Sequence, residues 1–255
     1  MPDEVTVTEP GDGTLVVTID RPHARNAVDE EVARGIAAAL DRLDADPDLV
    51  VGVITGAGGT FCAGMDLKAF VRGEVPVVPG RGFAGIVERS ARKPVIAAVE
   101  GYALAGGFEI VLACDLVVAA RGATFGLPEV RRGLVAAGGG LLRLPRRVPY
   151  HVAMELSLLG SHVDTARMHA LGLVNRLVDD GAALAEARDL ARAIAANGPL
   201  AVAATKRIVV ESADWPADEA FARQAVIADP VSTSADAREG ALAFAEKRAP
   251  VWTGR

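Results

Sequence analysis

Residues 95–120 form an almost unbroken apolar stretch whose only charged members are Glu100, Glu109 and Asp115. A run of this length has to leave water, either in a bilayer or in a protein core. Acidic side chains oppose the first choice, because a charged residue at a membrane centre costs about 2.5–3.5 kcal/mol. The stretch therefore reads as a buried segment of a globular chain. Glu109 lies inside its most apolar part, Gly-Tyr-Ala-Leu-Ala-Gly-Gly-Phe-Glu-Ile-Val-Leu-Ala-Cys (101–114), and Glu129 closes Phe-Gly-Leu-Pro-Glu (125–129). A carboxylate among apolar side chains is costly unless paired, and burial raises its pKa toward neutral pH. Two such groups imply an acid and a base.

The pattern on either side places strands and helices. Val5–Thr8 and Leu15–Asp20 flank Gly11-Asp12-Gly13 as a hairpin. Val28, Val32, Ile36, Leu40 and Leu43 recur at helical spacing across residues 27–43, and residues 49–55 then read as a buried strand. Strand, helix and strand in that order indicate a βαβ-type unit. After a helical start near Asp66, a loop rich in Pro and Gly (73–82) is expected to be mobile and to cover a site. Residues 95–99 and 116–120 read as strands around a helix at 106–113. Beyond Gly138-Gly139-Gly140 the chain reads as helical at 149–159, 164–171, 181–196, 199–212, 216–227 and 234–247, with Pro199, Pro216 and Pro230 as starts or breaks.

A chain of 255 residues can enclose one main core. Aromatics make up only 4% of it against 51% apolar residues, so small aliphatic side chains must do the packing. A net charge of −6 with no long basic run excludes nucleic acid held by general electrostatics. Two cysteines, Cys62 and Cys114, and a first segment Met-Pro-Asp-Glu-Val-Thr without signal-peptide character lead to the expectation of a reduced, cytoplasmic protein without membrane attachment.

Two glycine-rich turns follow strands, at 56–59 and 105–107. Each either lets the backbone bend tightly or presents free N–H groups to negative charge. Neither is a nucleotide fingerprint. Phe61 stands where G-x-G-x-x-G needs its last glycine, and there is no Gly-Lys-Ser/Thr. The four histidines and two cysteines show no metal-ligand spacing, so no metal site is expected. What remains is backbone donors plus carboxylates, a set suited to stabilising an oxyanion while protons move on the adjacent carbon.

Five segments now carry a resemblance: 20–27 (Asp-Arg-Pro-His-Ala-Arg-Asn-Ala), 55–68, 101–109, 125–129 and 238–248. In this order and spacing the chain resembles the crotonase, or enoyl-CoA hydratase/isomerase, superfamily. The resemblance implies an α/β fold, with a ββα spiral core over residues 1–195 holding an acyl-CoA site and a helical trimerisation region over 196–255, the trimers often pairing into hexamers. It implies an oxyanion hole from the backbone N–H groups of Met65 and Gly106, with Glu109 activating water and Glu129 supplying the α-proton. For coenzyme A it points to His23, Ala24 and Arg25, to Ala63, Asp66, Leu67 and Lys68, and to Phe244 and Lys247 reaching in from a neighbouring subunit. No separate cofactor is implied, since coenzyme A belongs to the substrate. The function implied is reversible hydration of a 2,3-unsaturated acyl-CoA. Isomerisation, dehydration of a specialised hydroxyacyl-CoA and catalytically silent acyl-CoA binding are the alternatives. The chain departs from the pattern at Ala136-Ala137, where many hydratases carry Pro-Gly, and at Met65, commonly alanine. Alanine restricts φ, so a change in water placement is expected there.

Overall fold

The computed structural model describes residues 4–255. Strands β1 (Val5–Thr8) and β2 (Thr14–Ile19) form the expected antiparallel hairpin. Helix α1 (Glu30–Ala45) begins three residues later than its periodicity predicts, because the Asp29 carboxylate caps it by accepting from Val32 N–H at 3.0 Å. Then come β3 (Val51–Gly56), a short α2 (Leu67–Val71), β4 (Val77–Val78), β5 (Gly82–Phe83), β6 (Val95–Val99), β7 (Tyr102–Leu104) and α3 (Gly106–Ala113). Strands β8 (Leu116–Ala120) and β9 (Thr124–Gly126) lead into a 3-10 turn, Pro128–Arg132. Helices α4 (Gly140–Arg147) and α5 (Tyr150–Leu159), strand β10 (Val163–Asp164), α6 (Thr165–Ala170) and β11 (Arg176–Val178) follow. Helices α7 (Ala183–Ala195), α8 (Pro199–Glu211), α9 (Ala220–Ser232) and α10 (Ala235–Glu246) complete the chain.

The main sheet runs β1-β2-β3-β6-β8-β11, parallel from β2 onward. A second layer is built one short strand at a time: Cys62 bridges Ala103 of β7, β7 pairs with β9, and β9 with β10. Each long strand is thus followed by a short one and then by a helix or 3-10 turn: β3, Cys62 and α2; β6, β7 and α3; β8, β9 and Pro128–Arg132. This is a ββα spiral. Both faces of the main sheet are buried, which explains the continuous apolar runs. Val51, Val53, Ile96, Ala98 and Val118 pack under α7, whose Ala183, Ala187 and Ala191 let it lie close. The other face joins α1, α3 and the second layer in the larger core.

The three acids of the apolar run are resolved differently. Glu100 accepts from Gly181 and Ala183 N–H, both at 3.0 Å, at the start of α7. Asp115 accepts from Val95 N–H at 2.8 Å and pairs with Lys206 of α8 at 2.6 Å. Glu109, 4% exposed, faces a cavity.

Some expectations need correction. The loop at 73–82 is anchored: β4 pairs with β5, and the buried Arg81 side chain pairs with Asp41 of α1 and donates to Arg89 O. The helix expected at 216–227 runs from 220 to 232 and contains Pro230, which sits in its last turn and forfeits a single i→i−4 bond. Helix α4 was hidden by the glycines before it and Pro145 within it. Helix α8 buries no residue, and Phe221, Val226 and Phe244 of α9 and α10 are exposed. Among the described residues no single helix is long and apolar enough to cross a membrane.

The start of α3 tolerates nothing larger than glycine, because a Cβ at Gly107 would lie 2.1 Å from Cys62 O. Gly107→Ala should lower unfolding stability by about 1–3 kcal/mol, seen as an earlier denaturant midpoint. An unchanged midpoint would contradict this packing.

Candidate active site

The oxyanion candidates sit on two touching loops. Val28 N–H donates to Gly64 O and Val28 O accepts from Asp66 N–H, both at 2.8 Å, so the residues flanking Met65 are clipped to one partner. The Met65 N–H between them points the other way. Ala105 N–H is spent on Gly126 O at 2.8 Å, whereas Gly106 opens α3 and has no carbonyl four residues back within the helix. Among the described residues, neither Met65 N–H nor Gly106 N–H has a hydrogen-bond acceptor. The loops meet at Gly64, where a Cβ would fall 2.8 Å from Ala105 Cβ and 3.2 Å from Gly106 N. Its φ of +102° also requires glycine. Ala105 holds φ 51°, ψ −127°, an unfavourable conformation for a residue with a Cβ that costs about 1–3 kcal/mol and turns the chain into α3.

Met65 and Gly106 line a cavity of about 1080 Å³ that Glu109 and Glu129 also line. Glu109 Oε1 accepts from Gly140 N–H at 2.9 Å. Its cradle is made of glycine: a Cβ at Gly138 would lie 2.4 Å from Oε2, and one at Gly140 3.0 Å from Oε1. Burial raises the Glu109 pKa, against the lowering effect of the Gly140 and Gly138 N–H groups and of Arg143. Burial also pushes the Glu129 carboxyl up to about 7, with the Glu109 charge acting in the same direction. Glu129 Oε2 is buried and has no hydrogen-bond partner. Both carboxyls thus hold a proton more readily than an exposed glutamate does, as groups that exchange protons with a substrate require.

The remaining expected residues divide. Arg25, Ala63 and Leu67 line the cavity, with the Arg25 guanidinium 5.9 Å from the centre of the Tyr102 ring. His23, Ala24 and Lys68 lie beside this wall rather than on it. The Asp66 carboxylate is engaged elsewhere, accepting from Lys68 and Ala69 N–H at 2.9 and 3.1 Å as the cap of α2. Phe244 and Lys247 lie on and just after α10, outside the cavity lining. Ala136 is buried and Ala137 lines the cavity, neither with positive φ. The backbone of this chain accommodates both alanines without strain. Both cysteine thiols are pushed up to about 12 by burial, in keeping with a packing role for Cys62. The glycine cradle, Arg143 and Phe83 were not foreseen. Phe83, from the anchored loop, closes one wall where a Cβ at Gly106 would fall 2.4 Å from its ring.

A ββα spiral with two free N–H groups beside one buried and one half-buried carboxylate defines a protein equipped to stabilise an oxyanion next to a carbon that exchanges protons. The chain belongs to the enoyl-CoA hydratase/isomerase family, whose profile it matches over residues 9–255. It is 46% identical to an enoyl-CoA hydratase of Mycobacterium tuberculosis, over 95% of this chain and 94% of that one. It is 43% identical to a carnitinyl-CoA dehydratase of Salmonella typhi, over 94% and 95% respectively. Among solved structures, an enoyl-CoA hydratase of Mycobacterium marinum superposes with a TM-score of 0.97 at 61% identity, over 99% of this chain and all of that one.

The half-buried Glu129 gives a pH signature. Its carboxyl titrates near 4.5 unfolded and about 7 folded, so between these values the folded state binds the proton more tightly and stability falls as pH rises. Glu129→Gln should remove that fall, on the order of 1–2 kcal/mol after allowance for partial exposure, leaving the variant relatively more stable at pH 8 than at pH 4. Parallel stability–pH curves for both proteins would contradict the assignment.

Proposed function

We propose that this chain is an acyl-CoA hydratase that adds water reversibly across the 2,3 double bond of an enoyl-CoA. The observation that carries the proposal is the convergence of the free Met65 and Gly106 N–H groups and the Glu109 and Glu129 carboxyls on one cavity. The thioester oxygen sits between the two N–H groups. Ionised Glu109 takes a proton from water as the water oxygen bonds to the β-carbon, and the π electrons move onto the thioester oxygen as an enolate. Protonated Glu129 then delivers its proton to the α-carbon, re-forming the carbonyl and giving a 3-hydroxyacyl-CoA. One donor of this kind is worth about 10²–10³ in rate, so the pair supplies several kcal/mol. The N-terminus of α3 adds a favourable field at the enolate.

Run backward, the same steps dehydrate a hydroxyacyl-CoA. The carnitinyl-CoA dehydratase relatives support this second reading. An isomerase needs no water between the carboxyls, and a silent binder needs neither carboxyl. Coenzyme A enters as part of the substrate, so no further cofactor is required. Arg25, beside the cavity mouth, suits an anionic CoA moiety. Residues 196–255 act as the oligomerisation region of a homotrimer or hexamer, for which exposed Phe221, Val226 and Phe244 supply apolar surface. In that assembly Phe244 and Lys247 approach a neighbour's CoA. Two free buried cysteines accord with a cytoplasmic setting.

A panel of enoyl-CoAs of differing chain length and branching, incubated in H₂¹⁸O, should yield labelled hydroxyacyl-CoA. Glu109→Gln and Glu129→Gln should each lower kcat at least about 10²-fold while still binding acyl-CoA. In the hydration direction kcat/KM should decline above about pH 7, as Glu129 loses its proton. Binding without label, or full activity in either variant, would refute the proposal.

A further inference from the structure

The loop that carries Met65 rests on a buried ion cluster that no step of the proposed reaction uses. Arg21, at the end of β2, is only 7% exposed. Its guanidinium faces three carboxylates, with Nε 3.0 Å from Glu4, and one Nη 3.0 Å from Asp29 and 3.2 Å from Asp66. Only the Asp66 contact is directed as a hydrogen bond, while the other Nη donates to Ala27 O at 2.6 Å. Arg21 N–H donates to Asn26 Oδ1 at 2.8 Å, and Asn26 in turn donates to Ala57 O and Thr60 O, holding the glycine turn. The surplus of acid is relieved at Glu4, whose carboxyl burial pushes up to about 7 with help from its hydrogen bond to Asp29. At Asp66 burial acts to raise the pKa, but the hydrogen bonds from Ala69 N–H, Arg21 and Lys68 N–H outweigh it and keep the group ionised.

Drawing Arg21 and its acidic partners out of water is a poor way to gain stability, because desolvation offsets most of the attraction. The cluster's position gives it another use. Asp29 directly follows Val28, and Asp66 directly follows Met65, the two members of the bridge that aims the Met65 N–H. Arg21 grips both residues at once. Rotating the peptide that carries the Met65 N–H would break the Val28 N–H bond to Gly64 O, which lies on the same peptide unit, and the Arg21 contacts to Asp29 and Asp66 hold the two segments of that bridge together just beyond it.

We propose, on the basis of the hydratase reading above, that Arg21 is a positioning residue of the oxyanion hole: clamped between Asp29 and Asp66, it fixes the direction of the Met65 N–H and serves the chemical step rather than acyl-CoA binding.

The test uses Arg21→Met, Arg21→Lys and Asp66→Asn in the full-length oligomer, with two readouts. One is kcat and KM for the enoyl-CoA that the unaltered protein hydrates best. The other is the infrared band of a ¹³C-labelled thioester carbonyl in bound hexadienoyl-CoA, which shifts to lower frequency when both N–H groups engage the oxygen and needs no turnover. Arg21→Met should lower kcat about 10²-fold, as for loss of one donor, with KM within about threefold and with most of the band shift lost. Arg21→Lys should recover part of both. Asp66→Asn keeps an acceptor for capping α2 and weakens only the ion pair, so it should show an intermediate loss. If Arg21→Met does not fold, Asp66→Asn decides the matter. A kcat and band shift like those of the unaltered protein, or a raised KM at unchanged kcat, would overturn the proposal. A band shift in the unaltered protein without hydration of any enoyl-CoA would refute the hydratase reading instead, and its loss in Arg21→Met would still support the positioning role.

Discussion

Everything in the site depends on how closely two backbone loops approach at Gly64 and Gly106. A Cβ on Gly64 would strike Ala105, and one on Gly106 would enter the Phe83 ring. With those atoms absent, two residues forty-one positions apart in the chain, each with an unpaired N–H, line one cavity. They stay free because their neighbours are satisfied: Gly64 O and Asp66 N–H by Val28, Ala105 N–H by Gly126 O. Most buried backbone donors in a folded protein find partners, so two left open toward the same space are a cost that binding a carbonyl oxygen would recover. The unfavourable backbone at Ala105 belongs to the same arrangement.

The carboxylates follow a parallel logic. Glu100 and Asp115 bracket Glu109 in the apolar run, yet one serves the start of α7 and the other is neutralised by Lys206. Glu109 also meets the start of a helix, α4, but keeps an open side. It is held by Gly140 N–H in a cradle that only glycine fits and is left facing the cavity that Glu129 shares. Burial raises both pKa values, and proximity of like charge raises that of Glu129 further. An acid and a base that must trade places in each turnover need affinities for the proton that are close to one another and to the pH of the medium.

Long buried elements were legible from the chain alone. Val95–Val99, Gly106–Ala113 and Leu116–Ala120 match their expected bounds because, Glu109 apart, they are runs of apolar residues and glycine set off by charged or turn-forming neighbours. Strands of two or three residues such as β7, β9 and β10 carry too little pattern to be seen, although they make the second layer of the spiral. Glu109 and Glu129 stood out as carboxylates in apolar surroundings, Met65 and Gly106 came through the resemblance, and all four line one cavity. The Arg21 cluster was not legible, since Glu4, Arg21, Asp29 and Asp66 are brought together only by folding. The backbone at Ala136-Ala137 was not legible either: neither residue takes a positive φ, Ala136 is buried and Ala137 lines the cavity.

The claim at the centre is that two backbone N–H groups share one thioester oxygen with both glutamates beside it. A crystal structure of the protein with acetoacetyl-CoA, whose thioester enol mimics the reacting enolate, measures this directly. The account predicts the thioester oxygen about 2.7–3.1 Å from both Met65 N and Gly106 N, with the Glu109 and Glu129 carboxyls flanking the α- and β-carbons. A thioester oxygen bonded to neither N–H, or an acyl chain that lies away from the two glutamates, would contradict it.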